Sequence, residues 1–323
     1  MVDENINQID SFDTNTILDV KDLDKSFGDV HAVNSISFKV KKGELFAFLG
    51  VNGAGKSTTI SIICGLLKKD KGTVLVDGSD IDHGLDKISK TLGVVFQNSA
   101  LDKPMSVKDN LRSRAALYGI YGKEFKNRLD ELATMLDFKK LLNRKVGKLS
   151  GGQKRKIDIA RALIHKPKIL ILDEPTTGLD PQTRKIIWNV MDNLREKENM
   201  TIFLTTHYME EASDADYVVI LDRGQIVARG TPVELKNKYT GDFITLYGVD
   251  EEEVKKLNLP YEKIQNSYRI EVEDTSKATE LILNNPSLFK DYEIQKGKMD
   301  DVFLSVTGKK LIGGDEKWEG CGN

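Results

Sequence analysis

Several kinds of residue and segment are scarce in this chain of 323 residues. Its two cysteines, Cys64 and Cys321, lie far apart without metal-ligand spacing, so we expect no disulfide and a reducing compartment. The strongest apolar runs, residues 45–49 and 169–172, fall far short of the roughly 20 residues that a membrane-spanning helix needs. An excess of one charge is also missing, because 48 Lys+Arg residues balance 50 Asp+Glu residues. That balance argues against a general polyanion binder.

The amino-terminal segment lacks the features of a targeting sequence. Its first sixteen residues carry four acidic residues and no basic one, so we predict that the protein is made in the cytosol and stays there. A hydrophobic content of 39% is enough for a sizeable core, and the length allows about two domains.

From Thr16 onward, short apolar strands alternate with longer helical patterns, which predicts an α/β sheet with helices on its faces. Ile36, Phe38 and Val40 alternate like a half-buried strand. Residues 45–49 predict a strand buried on both faces, followed by a helix over 56–67. Residues 106–148 predict a helical insertion, and strands return at 168–172 and 201–204. A hairpin is expected over 217–229, turning at residues 223–224.

A second, smaller unit is predicted after Tyr239. Residues 243–247, 268–272 and 292–294 resemble strands, and residues 251–257, 275–284 and 299–306 show helical patterns, which together indicate an α+β domain over 240–308. The main domain is expected to span 16–239, with its helical subdomain at about 100–150. Residues 1–15 and 309–323 are predicted to be disordered tails.

The segment GVNGAGKS at residues 50–57 matches the phosphate-binding loop, and it lies where that loop must lie, between a buried strand and the start of a helix. Glycines let consecutive backbone N–H groups face a phosphate, and the helix N-terminus adds its positive partial charge. A connecting turn without function is the weaker alternative. The predicted nucleotide-binding residues here are Gly50, Asn52, Gly53, Ala54, Gly55, Lys56, Ser57 and Thr58.

Two carboxylates follow the apolar strand at residues 169–172. Ligands bind at the carboxyl edge of such sheets, so Asp173 is placed to hold Mg²⁺ and Glu174 to act as the general base toward a water molecule. The alternative, a solvated Asp-Glu pair, is disfavoured by the Pro175 and the Gly-Leu-Asp turn that follow.

Together with LSGGQ at residues 149–153, this pattern resembles the ATPase subunits of ATP-binding cassette (ABC) transporters. Gln97, Asp180 and His207 fall at the Q-loop, the D-loop and the switch histidine of that family, and all six motifs occur in the family order. The resemblance covers about residues 16–239. It implies a P-loop ABC cassette with a mixed sheet, an antiparallel β part and a helical insertion, followed by the small C-terminal domain.

The resemblance also implies the roles of individual residues. Two copies would face each other head to tail, with ATP and Mg²⁺ between the phosphate loop of one copy and the signature, LSGGQ at residues 149–153, of the other. The catalytic set would be Glu174, His207, Gln97 and Lys56; the ligands of Mg²⁺ would be Ser57, Gln97 and Asp173; adenine would stack on Phe27; and Ser150, Gly151, Gly152, Gln153 and Asp180 would complete the partner's site. A core role for Phe27, or a capping or core role for His207, is the alternative. His31, His83 and His165 have no partner pattern and are predicted to be surface residues.

The function most strongly implied is ATP hydrolysis that powers transport, with export favoured, through separate integral-membrane permease subunits at the cytoplasmic face of the cell membrane. The motifs around His207 and at residues 299–304 resemble bacterial multidrug or daunorubicin-resistance exporters. Importer ATPases with an appended β-barrel, and soluble translation or repair ABC proteins, are the alternatives. Eight basic residues and no acidic one lie between Lys139 and Lys156, but nucleic-acid binding is not expected because this run flanks the signature.

Overall fold

A computed structural model describes residues 13–308 of the chain. The chain divides into two compact units. The first holds the described residues up to 207 together with 215–226, and the second holds 208–214 and the described residues from 227 onward. This division places residues 208–214 and 227–239 in the second unit, and the domain boundary near Tyr239 remains a prediction. Among residues 13–308, no helix has both the length and the apolarity needed to cross a membrane.

The first unit contains ten strands, the last of which runs on into the second unit, and six helices. The strands are β1 (Thr16–Phe27), β2 (Val30–Lys41), β3 (Leu45–Gly50), β4 (Lys71–Val76), β5 (Ser79–Asp80), β6 (Leu92–Val95), β7 (Ile169–Asp173), β8 (Thr201–Thr206), β9 (Tyr217–Asp222) and β10 (Gln225–Gly230). The helices are α1 (Lys56–Ile63), α2 (Leu85–Thr91), α3 (Val107–Ala116), α4 (Gly122–Met135), α5 (Gly151–Leu163) and α6 (Pro181–Glu198). The predicted hairpin over 217–229 is confirmed by β9 and β10.

The central sheet is parallel from β6 to β9, in the order β9-β3-β8-β7-β6, with β10 beyond β9. Its central strands are buried on both faces, as the apolar runs predicted, since every residue of β3, β7 and β8 is buried. Stacked rings fill the middle, with the Phe46 and Phe203 centroids 5.2 Å apart. Because the strands are parallel, the residues that follow β3, β6, β7 and β8 all emerge at one edge.

A second, antiparallel sheet has the order β2-β1-β4-β5. The predicted alternation in β2 is confirmed, since Ile36, Phe38 and Val40 are buried and belong to a core cluster that also contains residues of β3. The Phe38 ring lies 5.2 Å from the Phe48 ring, centroid to centroid. The two sheets therefore share one hydrophobic core.

The helical insertion predicted over 106–148 is confirmed by α3, α4 and two short 3₁₀ helices, Lys139–Leu141 and Val146–Lys148. Ser106 caps α3 by accepting a hydrogen bond from the N–H of Asp109. The buried Arg128 on α4 donates to the carbonyl oxygen of Leu163 at 2.6 Å, which ties the insertion to α5.

Two sequence-based expectations in the first unit are wrong. Helix α1 ends at Ile63 rather than at residue 67, because Gly65 adopts a left-handed φ of 69° and the N–H groups of Leu66 and Leu67 both bond the carbonyl of Ser61. His165 is not a free surface residue. Its ring stacks on Tyr118 at 3.9 Å and its Nε2 lies 3.0 Å from the Leu92 carbonyl oxygen, and burial lowers its pKa to about 4.

The second unit contains a four-stranded antiparallel sheet with helices. Its elements are α7 (Met209–Ser213), α8 (Pro232–Tyr239), β11 (Asp242–Tyr247), α9 (Glu251–Lys255), β12 (Tyr261–Ile264), β13 (Ser267–Val272), α10 (Thr275–Asn284), β14 (Tyr292–Lys296) and α11 (Met299–Thr307). The sheet order is β12-β13-β11-β14. The three predicted strands and three predicted helices of this region are confirmed, whereas β12 was missed because its residues are mostly exposed and carry no apolar alternation.

Most of the two predicted tails lies outside the described residues. Residues 13–15 form a turn in which the Asp13 carboxylate accepts hydrogen bonds from the Asn15 N–H at 3.0 Å and the Thr16 hydroxyl at 3.1 Å.

Candidate active site

The phosphate loop follows β3 and leads directly into α1. Gly55 is the N-cap of α1 with φ 104°, and a Cβ atom at this position would lie 2.4 Å from the carbonyl oxygen of Ala32. Only glycine fits both the backbone angle and that close approach. The loop therefore depends on Gly55 for its shape.

Lys56 is buried beneath the loop. Its Nζ donates to the carbonyl oxygen of Gly50 at 2.6 Å and to that of Val51 at 3.2 Å. Burial lowers the pKa of Lys56, while the carboxylates of Glu174 and Asp173 act in the opposite direction. The loop thus holds a cation at its centre, and the adjacent carboxylates favour its charged form.

Asp173 is the last residue of β7, and it faces Ser57 at the start of α1. One carboxylate oxygen accepts a hydrogen bond from the Thr205 hydroxyl at 2.6 Å, and the other lies 3.5 Å from the Ser57 hydroxyl. These are oxygen ligands of the kind that Mg²⁺ prefers. Within residues 13–308, no group of three or more His, Cys, Asp or Glu side chains is arranged to hold a metal ion by itself.

Glu174 adopts a left-handed backbone conformation with φ 46°, which is unfavourable for a residue with a long side chain. Its N–H is fixed by the carbonyl and hydroxyl oxygens of Thr205, each at 3.1 Å. The strand end therefore aims the Glu174 carboxylate outward from the sheet edge.

Four polar side chains surround that carboxylate. Oε2 accepts from Gln97 Nε2 at 3.2 Å and from the Thr177 hydroxyl at 3.2 Å, and it lies 3.4 Å from His207 Nδ1. Oε1 lies 3.8 Å from Lys56 Nζ. The neighbouring His207 imidazole is the largest influence on the pKa of Glu174, which is lowered despite burial. The carboxylate is consequently ionised at neutral pH.

A cavity of about 540 Å³ opens in front of these groups. The predicted site residues that line it are Phe27, Asn52, Gly53, Gly55, Lys56, Ser57, Thr58, Gln97 and Glu174. Four predicted residues close to this cavity do not line it. Gly50 and Ala54 are buried in the loop, Asp173 lies behind Ser57, and His207 lies behind Glu174. Phe27 is 50% exposed at the end of β1, and Lys25 Nζ lies 5.4 Å from the centroid of its ring, so part of the ring surface is available for stacking.

Four residues that line this cavity had no predicted role here, Val30, His31, Ala32 and Arg223, of which His31 and Arg223 are polar. His31 lies on β2 beside the end of β1, and its Nε2 lies 3.0 Å from Asp24 Oδ1. Arg223 lies in the turn after β9, where the next residue, Gly224, donates its N–H to the carbonyl of Ala54 in the phosphate loop. His31 follows Phe27 by four residues, on the opposite strand of one hairpin. Predicting a hairpin over residues 16–41 would have indicated that His31 lies near Phe27 at the cavity.

The signature residues form a separate feature at the start of α5. Ser150 is the N-cap, and its hydroxyl accepts from the N–H of Gln153 while the Gln153 side chain accepts from the N–H of Ser150. Asp180 similarly caps α6 through Thr183, and the bonds from Thr183 lower the pKa of Asp180. Ser150, Gly151, Gly152, Gln153 and Asp180 do not line the cavity.

Comparisons with known proteins agree with this arrangement. Residues 33–177 match the ABC transporter family. Over 303 residues the chain is 35% identical to the Nod factor export ATP-binding protein I of Burkholderia orbicola, a match that covers 91% of this chain and 98% of that protein. Over 314 residues it is 35% identical to the linearmycin resistance ATP-binding protein LnrL of Bacillus subtilis, covering 91% and 99%.

This chain belongs to the ATP-binding subunits of ABC transporters. It is an ATPase of that family, so the expected family, fold class and enzyme class are confirmed. Soluble translation or repair proteins and importers are not favoured by these matches.

Solved structures of ABC cassettes have the same fold. An ATP-binding subunit of an ABC transporter superposes with a TM-score of 0.64 at 30% identity, covering 69% of this chain and 93% of that one. A dimeric cassette, MJ0796 bound to ADP and Pi, gives 0.60 at 28% identity, covering 66% and 98%. The curated relatives cover 91% of the chain, so they share sequence beyond the ABC cassette itself.

Proposed function

We propose that this ABC ATPase binds ATP between two copies of itself and drives export through separate integral-membrane permease subunits. The observation that carries the proposal is the ionised Glu174 carboxylate, held by Gln97 and His207 beside Lys56 at the mouth of the cavity. These are the groups that a hydrolytic phosphoryl transfer requires, because its catalysis consists mainly of positioning and charge stabilisation.

In this proposal the cavity holds one nucleotide along its length. Adenine stacks on the exposed part of the Phe27 ring, and the backbone N–H groups between Gly53 and Thr58 bind the β-phosphate at the start of α1. Lys56 lies at the centre of the loop, where it reaches both the β- and γ-phosphates. ATP thereby replaces Glu174 as the anionic partner of Lys56.

Ser57 and Asp173 would hold Mg²⁺, with Gln97 as a further oxygen ligand. A small number of protein ligands is sufficient for this ion, because Mg²⁺ keeps several bound waters and is also coordinated by the substrate phosphates. When bound, the ion neutralises charge on the transferred phosphoryl group. The hydrogen bond from Thr205 keeps the Asp173 carboxylate aimed at Ser57.

Glu174 accepts the proton of the attacking water in this scheme. Its ionised form is favoured by His207, Lys56 and Thr177, and its fixed backbone keeps the carboxylate at the sheet edge. Once Lys56 turns to the γ-phosphate, Glu174 is released toward the water. Gln97 and His207 remain to orient it.

The signature residues would act on the nucleotide of a second copy. The N–H groups at the start of α5, beside Ser150, offer an anion site that the cavity of the same copy does not use. A head-to-tail homodimer completes both sites, with Asp180 beside the interface. The names of the relatives, a Nod factor exporter subunit and a linearmycin resistance subunit, support export, and permease docking places the chain at the cytoplasmic face of the membrane.

The variant Glu174→Gln tests the site and the dimer together. It keeps the shape of the side chain but removes the proton acceptor, so we expect ATP binding to persist while turnover falls about 10²–10⁴-fold. With ATP and Mg²⁺ it should elute from a size-exclusion column as a dimer. Glu196→Gln, at an exposed position on α6, is the matched control and should turn over ATP like the wild type. Normal turnover in Glu174→Gln would remove Glu174 as the base, and a persistent monomer would contradict the shared site.

A further inference from the structure

Helix α5 carries two buried charged side chains that take no part in the nucleotide cavity. Arg155 is 7% exposed and Asp158 is 5% exposed, and they lie three residues apart on one face of the helix. Both lie C-terminal to Ser150 on the same helix. Buried charges are unfavourable unless they are paired and hydrogen-bonded, so their partners matter.

Arg155 donates to three backbone carbonyl groups from three directions. The oxygen of Phe96 lies 2.6 Å from one terminal nitrogen, the oxygen of Asp173 lies 3.0 Å from the other, and the oxygen of Pro175 lies 2.9 Å from Nε. Phe96 immediately precedes Gln97, and Asp173 and Pro175 flank Glu174. One guanidinium therefore fixes the backbone beside both of these side chains.

Asp158 is buried near the other side of Gln97, where Ser99, the backbone of Ala100 and the charge of Arg155 all lower the pKa of its carboxyl. Burial raises the pKa of Asp158 and lowers that of Arg155, and each charge offsets part of this effect on the other. Gln97 thus lies in a segment held from α5 at residue 96 and again at residues 99 and 100.

A role in stability alone would not require these residue types. Well-packed apolar residues of similar volume are often as stabilising as a buried ion pair, and α5 already packs through Ile157, Ile159 and Leu163. Unlike an apolar side chain, a planar guanidinium fixes the direction of each hydrogen bond that it donates. The contacts specify the position of backbone that carries the catalytic side chains.

We propose that Arg155 and Asp158 are positioning residues that fix the segment around Gln97 and the backbone beside Glu174 to the helix that begins at Ser150. The coupling between the two nucleotide sites rests on the proposed dimer. In that dimer Ser150 contacts the nucleotide of the partner copy. When this contact shifts α5, the shift is transmitted to Gln97 and Glu174 of the same copy as Ser150. The clamp formed by Arg155 and Asp158 makes hydrolysis at one site depend on occupancy of the other.

The test compares Arg155→Met, Arg155→Lys and Asp158→Asn with Arg112→Gln, an exposed arginine of α3, as the matched control. Because misplacing a reacting group by about 1 Å can cost 10²-fold, Arg155→Met should lower kcat about 10–100-fold. The ATP dissociation constant should change by less than about threefold, because Arg155 does not line the cavity. Arg155→Lys should have a kcat between those of the wild type and Arg155→Met. Its ammonium keeps the positive charge, but it can bond fewer carbonyl groups at once than the guanidinium. The Hill coefficient for ATP should fall toward 1 in both arginine variants.

A second readout does not depend on activity. Hydrogen exchange without nucleotide, followed over residues 95–101, should be faster in Arg155→Met and in Asp158→Asn than in the wild type and in Arg112→Gln. Unchanged exchange there would overturn the clamp, even if the wild type hydrolysed no ATP and the proposed function itself failed. An unchanged kcat in Arg155→Met, or losses of kcat and ATP affinity in equal proportion, would also overturn it.

Discussion

In the first unit, four charged side chains near the carboxyl edge of the sheet are buried: Lys56, Arg155, Asp158 and Asp173. Between residues 227 and 308 of the second unit, no charged side chain that the structure describes is buried, and ion pairs such as Lys277 with Glu280 lie on the surface. Both units have apolar cores, so packing does not require the buried charges. The four buried charges near the sheet edge hold the geometry of the candidate site, whereas the buried Asp19 and Arg128 of the first unit and the buried Glu211 of the second unit do not line its cavity.

The largest expected contrast between the units comes from removing one lysine in each. Lys56→Ala removes the cation that the phosphate loop holds, and charge-assisted hydrogen bonds of this kind are worth about 1.5–3 kcal/mol, so ATP affinity should fall roughly 10–100-fold. Lys255→Ala removes an exposed lysine on α9 and should leave affinity unchanged. Titration calorimetry with ATP and Mg²⁺ measures both, and undiminished affinity in Lys56→Ala would refute the assignment of the phosphate loop.

A smaller effect is expected from Arg269 in the second unit. Its guanidinium lies 3.6 Å from the centroid of the Phe243 ring and 3.5 Å from Asp301, so Arg269→Ala should lower the free energy of unfolding by about 1 kcal/mol. Chemical denaturation measures this, with the exposed Lys277→Ala as the control. The ATPase rate of the isolated chain should not change. A large loss of that rate would show that the second unit, despite its exposed charges, supports catalysis.

The smallest effect concerns pH and Glu174. Because the folded state lowers its pKa, Glu174 contributes stability that is present above its unfolded pKa of about 4.3 and is lost as the pH falls through the folded value. The difference in unfolding free energy between the wild type and Glu174→Gln should therefore decline as the pH is lowered below about 5. Glu196→Gln, at an exposed position on α6, is the matched control in the same measurement. A constant difference for Glu174→Gln would contradict the ionised, partnered carboxylate.

Much of the first unit could be predicted because the phosphate loop and the Asp173-Glu174 pair each follow a strongly apolar strand. Residues 45–49 and 169–172 predicted buried strands, and the residues after them, Lys56 and Glu174 among them, therefore had to meet at one sheet edge. Arg155 could not be interpreted in that way. It is one of eight basic residues between Lys139 and Lys156, and the run as a whole indicated only a positively charged surface. The burial of Arg155 depends on carbonyl groups from two segments that are distant in the sequence.

The remaining differences also arise from long-range contacts. His165 has no local partner pattern, and it is covered by Tyr118, which is 47 residues earlier in the chain. Strand β12 pairs with β13 although its side chains are mostly exposed, so the hydrophobic pattern is too weak to indicate it. Local periodicity predicts elements with one buried face, and it does not identify which buried polar groups will bond each other.

The backbone angle of Glu174 has a consequence for variation in this protein. A φ of 46° suits glycine or asparagine better than glutamate, and holding a larger side chain there destabilises the fold by on the order of 1 kcal/mol. A library selected only for heat resistance should therefore enrich glycine or asparagine at position 174, while a library selected for turnover should return glutamate. Robustness and activity select opposite residues at this single position.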